Sequence, residues 1–171
     1  DVCSSDLREG AMNVSFELNG KKVSVEAPPR MTLADALRHK AGATGTHVAC
    51  EHGVCGSCTI ILDGEAVRSC LMLAAQAQGA KITTIEGLLD NGDYTPLHVA
   101  FKKHHGLQCG FCTPGVLTTL HALFTQEPDA DEERVRDVLS GNLCRCTGYI
   151  PIIEAAMEAR AHYQAKSRGE A

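Results

Sequence analysis

Residues 12–18 alternate apolar and polar positions as Met12, Val14, Phe16 and Leu18, and Val23 and Val25 repeat the two-residue period after Asn19-Gly20. That period buries one face of each strand, and Asn-Gly suits a type I′ turn, so the pattern predicts a β-hairpin. Thr32 then precedes LADALRHKAG, where Leu33, Ala36 and Leu37 share one helical face and Gly42 is placed to end the helix in a left-handed cap. Residues 59–62 and 65–68 flank Asp63-Gly64 as a second hairpin, and residues 81–85 read as one more short strand. Two hairpins, one crossing helix and a late strand predict a β-grasp-like sheet.

From about Gly87 the period changes. Thr95-Pro96 opens a helix ending near Gly106, and Thr113-Pro114 opens a second, each with Thr as N-cap and Pro at the first helical position. Asp129 with Glu132 forms a capping box for a third helix, with Val135, Val138 and Leu139 on its apolar face and Gly141 at its end. A fourth runs over residues 150–163, with Pro151 in its first turn and Ile153, Ala156 and Met157 on one side. Four short helices joined by short turns predict a four-helix bundle. The expected class is therefore α+β: a β-grasp domain over residues 12–88, a linker at 89–95, a helical domain over 96–165 and a tail at 166–171. Residues 1–11, which include Cys3, are expected to be a non-native or disordered leader with no part in the fold.

Composition sharpens the picture mainly through cysteine. Eight of the nine cysteines fall into two groups of four. Cys50, Cys55, Cys58 and Cys70 leave gaps of four, two and eleven residues, which is the C-x4-C-x2-C…C spacing of a plant-type 2Fe-2S ferredoxin. Cys109 and Cys112 are separated by two residues, and Cys144 and Cys146 by one. Disulfides would need an oxidising compartment, and residues 1–11 carry three acids, one base and no apolar run, unlike a signal peptide. A cytoplasmic location is expected on that ground. Structural zinc is the stronger rival, yet zinc sites usually join two C-x2-C-like knuckles and neither group supplies a second. A thioredoxin-type reading of the C-x2-C pair would strand the other six cysteines. The formal charge of −5 offers no basic footprint for nucleic acid. No segment approaches the roughly 20 apolar residues of a membrane-spanning helix. With no Trp and 4% aromatics, small aliphatic cores would gain from cross-bracing by a four-thiolate cluster.

The stretch GATGTHVACEHGVCGSC has little apolar periodicity and four glycines. Three thiolates on so short a loop force tight turns, so Gly53 and Gly56 are expected to take positive φ and let backbone N–H groups point at the cluster. Glu51, His52 and His47 read as solvated rim residues, since four cysteines already complete the set. His98, His104, His105, His121 and His162 read as surface histidines, and Met31, Met72 and Met157 as core filler. Arg145, between two cysteines, could tune a cluster, touch a partner or bond a loop carbonyl. Cys109 and Cys112 lie just before the second helix, and Cys144 and Cys146 between the third and fourth. Helix N-termini carry partial positive charge, which suits an anionic centre.

The strings GTHVACEHGVCGSCTIILDG, LQCGFCTPGV and SGNLCRCTGY resemble the small iron–sulfur subunit of the molybdenum hydroxylases, the group of xanthine dehydrogenase, aldehyde oxidoreductase and aerobic carbon monoxide dehydrogenase. The resemblance spans residues 12–163. It implies a ferredoxin-like domain followed by a four-helix domain, each with its own 2Fe-2S cluster. It also implies two partners, a large subunit holding molybdopterin and a medium subunit holding FAD, with this chain as the wire between them. The helical-domain cluster would lie nearest the molybdopterin, Gln108 would hydrogen-bond the pterin, and Cys146 would be the ligand through which electrons leave it. Ala49 and Ser57 replace residues that are often Gly and Ala in relatives. The readings set against this are a free-standing two-cluster ferredoxin and a zinc-binding interaction protein.

Overall fold

The computed structural model of the chain describes residues 10–90 and 93–169. The expectation for residues 1–9, including Cys3, lies outside the described residues, as does the centre of the expected linker at 91–92. Strands β1 (Met12–Leu18) and β2 (Lys21–Ala27) form the first hairpin, in register from Met12 opposite Ala27 to Leu18 opposite Lys21. Asn19 and Gly20 have φ of 50° and 78°, the paired positive values that a type I′ turn requires. Strands β3 (Thr59–Leu62), β4 (Glu65–Arg68) and β5 (Lys81–Thr83) complete a five-stranded sheet in the order β2-β1-β5-β3-β4. Only β1 and β5 pair in parallel, so the sheet is mixed.

Strand β5 is shorter than its apolar pattern suggests. Thr84 donates its N–H to the Asn19 side chain at 2.9 Å, and Asn19 Nδ2 donates back to the Thr84 hydroxyl at 3.0 Å. A side chain thus takes the place of a strand partner, and the chain turns into a 3-10 turn at Ile85–Gly87. Two-residue strands β6 (Leu89–Asp90) and β7 (Asp93–Tyr94) pair antiparallel where the sequence pattern predicted a plain linker.

Helix α1 begins at Leu33–Asp35 and widens into a π turn at Ala36–Lys40. Thr32 caps it by accepting from the Asp35 N–H at 3.1 Å, and Gly42 ends it at φ 76°. The wide turn aims Arg38 at the carbonyls of Thr44 and Thr46, 2.6 and 2.7 Å away, which ties the helix to the start of the cysteine loop. Leu33, Leu37, Ile60, Ile82, Val14 and Phe16 form the core between α1 and the sheet.

The second half holds α2 (Pro96–Lys103), α3 (Thr113–Gln126), α4 (Glu132–Leu139) and α5 (Ile150–Ser167). Phe101, Phe124, Leu97, Val116, Leu120, Leu139 and Ile152 are all fully buried between them. At about 1.5–3 kcal/mol for each large side chain, this is the principal drive for the helical half. Three local expectations change. Cys112, already helical at φ −77°, is the N-cap of α3, so Thr113 lies inside the helix, where its buried hydroxyl has no partner among the described residues. Asp131 rather than Asp129 caps α4, accepting from Arg134 N–H at 2.8 Å, while Asp129 accepts from Gln164 Nε2. Helix α5 continues through Ser167, into the expected tail. Among the described residues no helix is long and apolar enough to cross a membrane.

Candidate metal centres

The first cysteine set hangs on the loop between α1 and β3, with Cys70 added from a 3-10 turn that follows β4. Cys58 and Cys70 are buried, while Cys50 and Cys55 are half-exposed. The loop reverses at Glu51, Gly53 and Gly56, whose φ values are 55°, 83° and 73°. At Gly53 a Cβ would meet Leu71 Cδ1 at 2.5 Å, so the loop lies directly on that side chain. The reversal turns amides toward sulfur. Cys55 N–H points at Cys50 Sγ at 3.4 Å, and with help from the amides of His52 and Val54 it pulls the Cys50 thiol down to about 6. Cys70 is pushed up to about 11, first by burial and then by its neighbour Cys58, with the Gly53 amide opposing.

The second set sits at helix boundaries. Cys109 and Cys112 flank Gly110, which takes φ 79°, immediately before α3; Cys144 and Cys146 lie in the turn between α4 and α5. Burial, then Cys144 and Cys109, push the Cys112 thiol up to about 12. Burial also works against the Cys144 thiolate, but the Thr147 hydroxyl, 3.1 Å from Sγ, and the amides of Thr147 and Cys146 outweigh it and lower its pKa. Tyr149 holds this turn: at φ 69° its phenol accepts from Cys144 N–H at 2.9 Å and donates to the Asn142 carbonyl at 3.0 Å. Gln108 is exposed and donates through Nε2 to the Cys146 carbonyl at 3.1 Å.

The thiols of each set act on one another: Cys55 on Cys50, Cys58 and Cys50 on Cys70, and Cys144 and Cys109 on Cys112. Among the described residues no group of three or more His, Cys, Asp or Glu is arranged around a single metal ion. A 2Fe-2S cluster asks for four thiolates shared between two irons, with hydrogen-bond donors to sulfur around them. The donor set and the inward-turned amides fit that group.

The two sets adjoin. Leu143 N–H donates to the Cys55 carbonyl at 2.9 Å, so one hydrogen bond joins a residue of the first set to the neighbour of Cys144. His47 stacks on Phe111 with ring centroids 4.9 Å apart and bonds the Phe111 carbonyl through Nδ1 at 2.8 Å. It is therefore part of the join rather than a free rim residue, whereas Arg145 is exposed. A Cβ on Gly115 would meet the Gly56 carbonyl at 2.2 Å, which shows how closely α3 approaches the first loop. Gly115, Asn142 and Tyr149, which lie in the strings that carry the resemblance without an assigned role there, and Arg68, which lies outside them, all shape this region. A glycine in the first turn of an apolar helix is a further clue, since it marks close backbone approach.

Comparison with known proteins agrees with this geometry. Residues 16–84 match the family described as "2Fe-2S iron-sulfur cluster binding domain" and residues 84–157 the "2Fe-2S binding domain" family. The nicotine 6-hydroxylase small subunit of Paenarthrobacter nicotinovorans is 52% identical over 148 residues, 86% of this chain and 89% of that protein. The chain belongs to the small iron–sulfur subunits of the molybdenum hydroxylases. Caffeine dehydrogenase subunit gamma of Pseudomonas sp. strain CBB1 is also 52% identical, over 83% of this chain and 87% of its own length. A chain of quinoline 2-oxidoreductase from Pseudomonas putida 86 superposes with a TM-score of 0.87 at 49% identity, covering 94% of this chain and 99% of its own. As an iron–sulfur subunit of this family, the chain is an electron-transfer component of an oxidoreductase.

Proposed function

We propose that this chain relays single electrons from a molybdenum-pterin large subunit to an FAD-binding medium subunit or an external acceptor. Cys50, Cys55, Cys58 and Cys70 would hold one 2Fe-2S cluster in a β-grasp domain, residues 12–88. Cys109, Cys112, Cys144 and Cys146 would hold the other in a four-helix domain, residues 96–165. The observation that carries the reading is the junction of two four-cysteine sets through the Leu143 to Cys55 hydrogen bond. A zinc protein gives no reason for two thiol sets to be seated against each other, and a free-standing two-cluster ferredoxin gives none for an exposed Gln108 beside the second set. When bound, a 2Fe-2S cluster supplies reversible one-electron uptake with no bond made or broken. The chain's own residues bind it, and the amides of the loop around Gly53 and Gly56 donate toward sulfur, which favours the reduced state.

The surface supports two docking faces. Leu107, Phe111, Leu143 and Ile150 are 40–62% exposed around the second cysteine set, and Val54, Leu71 and Leu73 are 42–62% exposed around the first. Apolar side chains exposed in such groups mark surfaces that a partner covers. Gln108, with its amide nitrogen on the Cys146 carbonyl, keeps its side chain at the second face, where it would meet the pterin. The test is purification with the native partners, followed by metal and flavin analysis and paramagnetic resonance of the reduced protein. Two distinct reduced 2Fe-2S signals are expected; zinc in place of iron would sink the reading. Gln108→Ala should keep both signals while substrate reduces the clusters more slowly and dithionite reduces them as before.

A further inference from the structure

A small buried polar group lies between the two cysteine loops and contains none of the thiols. Asn142 is 1% exposed. Its Nδ2 donates to the Gly56 carbonyl at 3.2 Å, and its Oδ1 accepts from the Thr119 hydroxyl at 3.2 Å. Arg68 reaches in from the end of β4. One guanidinium nitrogen donates to Thr59 Oγ1 at 2.6 Å, the other to the Gly141 carbonyl at 2.7 Å, and the Thr59 hydroxyl donates onward to the Gly56 carbonyl at 2.6 Å. Gly56, between Cys55 and Cys58, is therefore gripped twice, once from each half. The backbones meet so closely that a Cβ on Gly56 would sit 2.4 Å from the Gly141 carbonyl.

We propose that Arg68 and Asn142 are positioning residues, a polar clasp that fixes the 50–58 loop against the 141–144 turn and so sets the separation and orientation of the two thiol sets. Apolar packing alone would hold the halves together but would let them slide. Directional bonds from a planar guanidinium and a carboxamide to backbone carbonyls define one register. They also protect the Cys55 to Leu143 bond that lies beside them. The consequence for electron transfer rests on the two-cluster reading above, because the rate between centres depends steeply on their separation.

The experiment uses the full chain in its assembled enzyme, with Asn142→Ala, Arg68→Gln, Arg68→Lys and the milder Thr119→Val. Two quantities are read: hydrogen–deuterium exchange of the segment containing Leu143 N–H, and the magnetic splitting between the two reduced cluster signals. Asn142→Ala and Arg68→Gln should speed that exchange by about tenfold and weaken the splitting while both signals persist, with Arg68→Lys partly restoring each. Faster exchange with unaltered splitting would reduce the clasp to simple adhesion and overturn the positioning role; unaltered exchange would overturn the clasp itself. If Asn142→Ala does not accumulate, Thr119→Val and Arg68→Gln decide. Should the chain hold no iron, the two-cluster reading fails, and the exchange measurement still judges the clasp.

Discussion

In the first half, four thiols lie between residues 50 and 70, and a glycine-rich loop beside a sheet presents them, with Leu143 and Asn142 of the distant chain bonding its Cys55 and Gly56 carbonyls. In the second, two cysteine pairs lie more than thirty residues apart, at 109–112 and 144–146, and meet only because α3, α4 and α5 pack around Phe124, Leu139 and Ile152. The first site is therefore a property of a loop and the second a property of a core. Local backbone geometry governs one, with positive φ at Gly53 and Gly56 and amides turned onto Cys50. Helix packing governs the other.

The largest effect should come from removing the proposed ligands. Cys55→Ser should remove about half the iron and spare the helical site, and Cys112→Ser should do the reverse, because the ligand sets do not interleave along the chain. The contact between them uses the Cys55 carbonyl, which serine retains. Iron analysis and the reduced resonance signals of each variant check this. Loss of both signals from either single substitution would mean that the halves assemble only together.

Next comes the core. Phe124 is fully buried, with its ring 5.5 Å from that of Tyr163, so Phe124→Ala should cost about 3–5 kcal/mol. The second cluster signal should then disappear at lower denaturant while the first keeps its midpoint. Equal shifts in the two would show that the junction transmits the damage, and that a loop site and a core site do not differ in the way described above.

What could be read from sequence follows the same division. The hairpins at Asn19-Gly20 and Asp63-Gly64 and the Thr32 cap are signals between near neighbours, and each is present in the structure. Arg68 meets Gly141 across 73 positions and Asn142 meets Gly56 across 86, so no local pattern announces the clasp. Tyr149 at positive φ is equally hidden, since its conformation is imposed by the bonds its phenol makes around Cys144. His121, which its place in the helical pattern marks as a surface residue, instead bonds the Tyr163 hydroxyl at 2.8 Å across 42 positions.

Histidines give the two halves different responses to acid. Burial lowers the pKa of His121, with Lys166 and His98 adding repulsion, and burial likewise lowers that of His98. The unfolded chain then binds more protons than the folded one as pH falls below about 6.5, so folded stability is lost in that direction and is fully present above it. Between pH 7.5 and 5.5 the helical half should weaken more than the sheet half, as read by the denaturant midpoint of each cluster signal. His121→Asn, which keeps a group for the Tyr163 hydroxyl without the titration, should flatten the dependence. A dependence that persists in full would exclude His121 as its source.

The smallest difference is at the caps. Thr32 accepts from Asp35 N–H at 3.1 Å and Asp131 from Arg134 N–H at 2.8 Å, so alanine at either should cost about 0.5–2 kcal/mol. Their consequences should part. Thr32 secures α1, whose Arg38 already binds the loop carbonyls of Thr44 and Thr46, so the first ligand loop keeps an anchor after Thr32→Ala. Asp131 starts α4, and α4 runs directly into the turn that carries Asn142 and Cys144. Asp131→Ala should therefore speed iron release from the second set to a chelator, while Thr32→Ala leaves both release rates nearly unaltered. Faster release from the first set in Thr32→Ala would show that its loop also leans on a distant helix start, and the contrast between loop and core would narrow to one of degree.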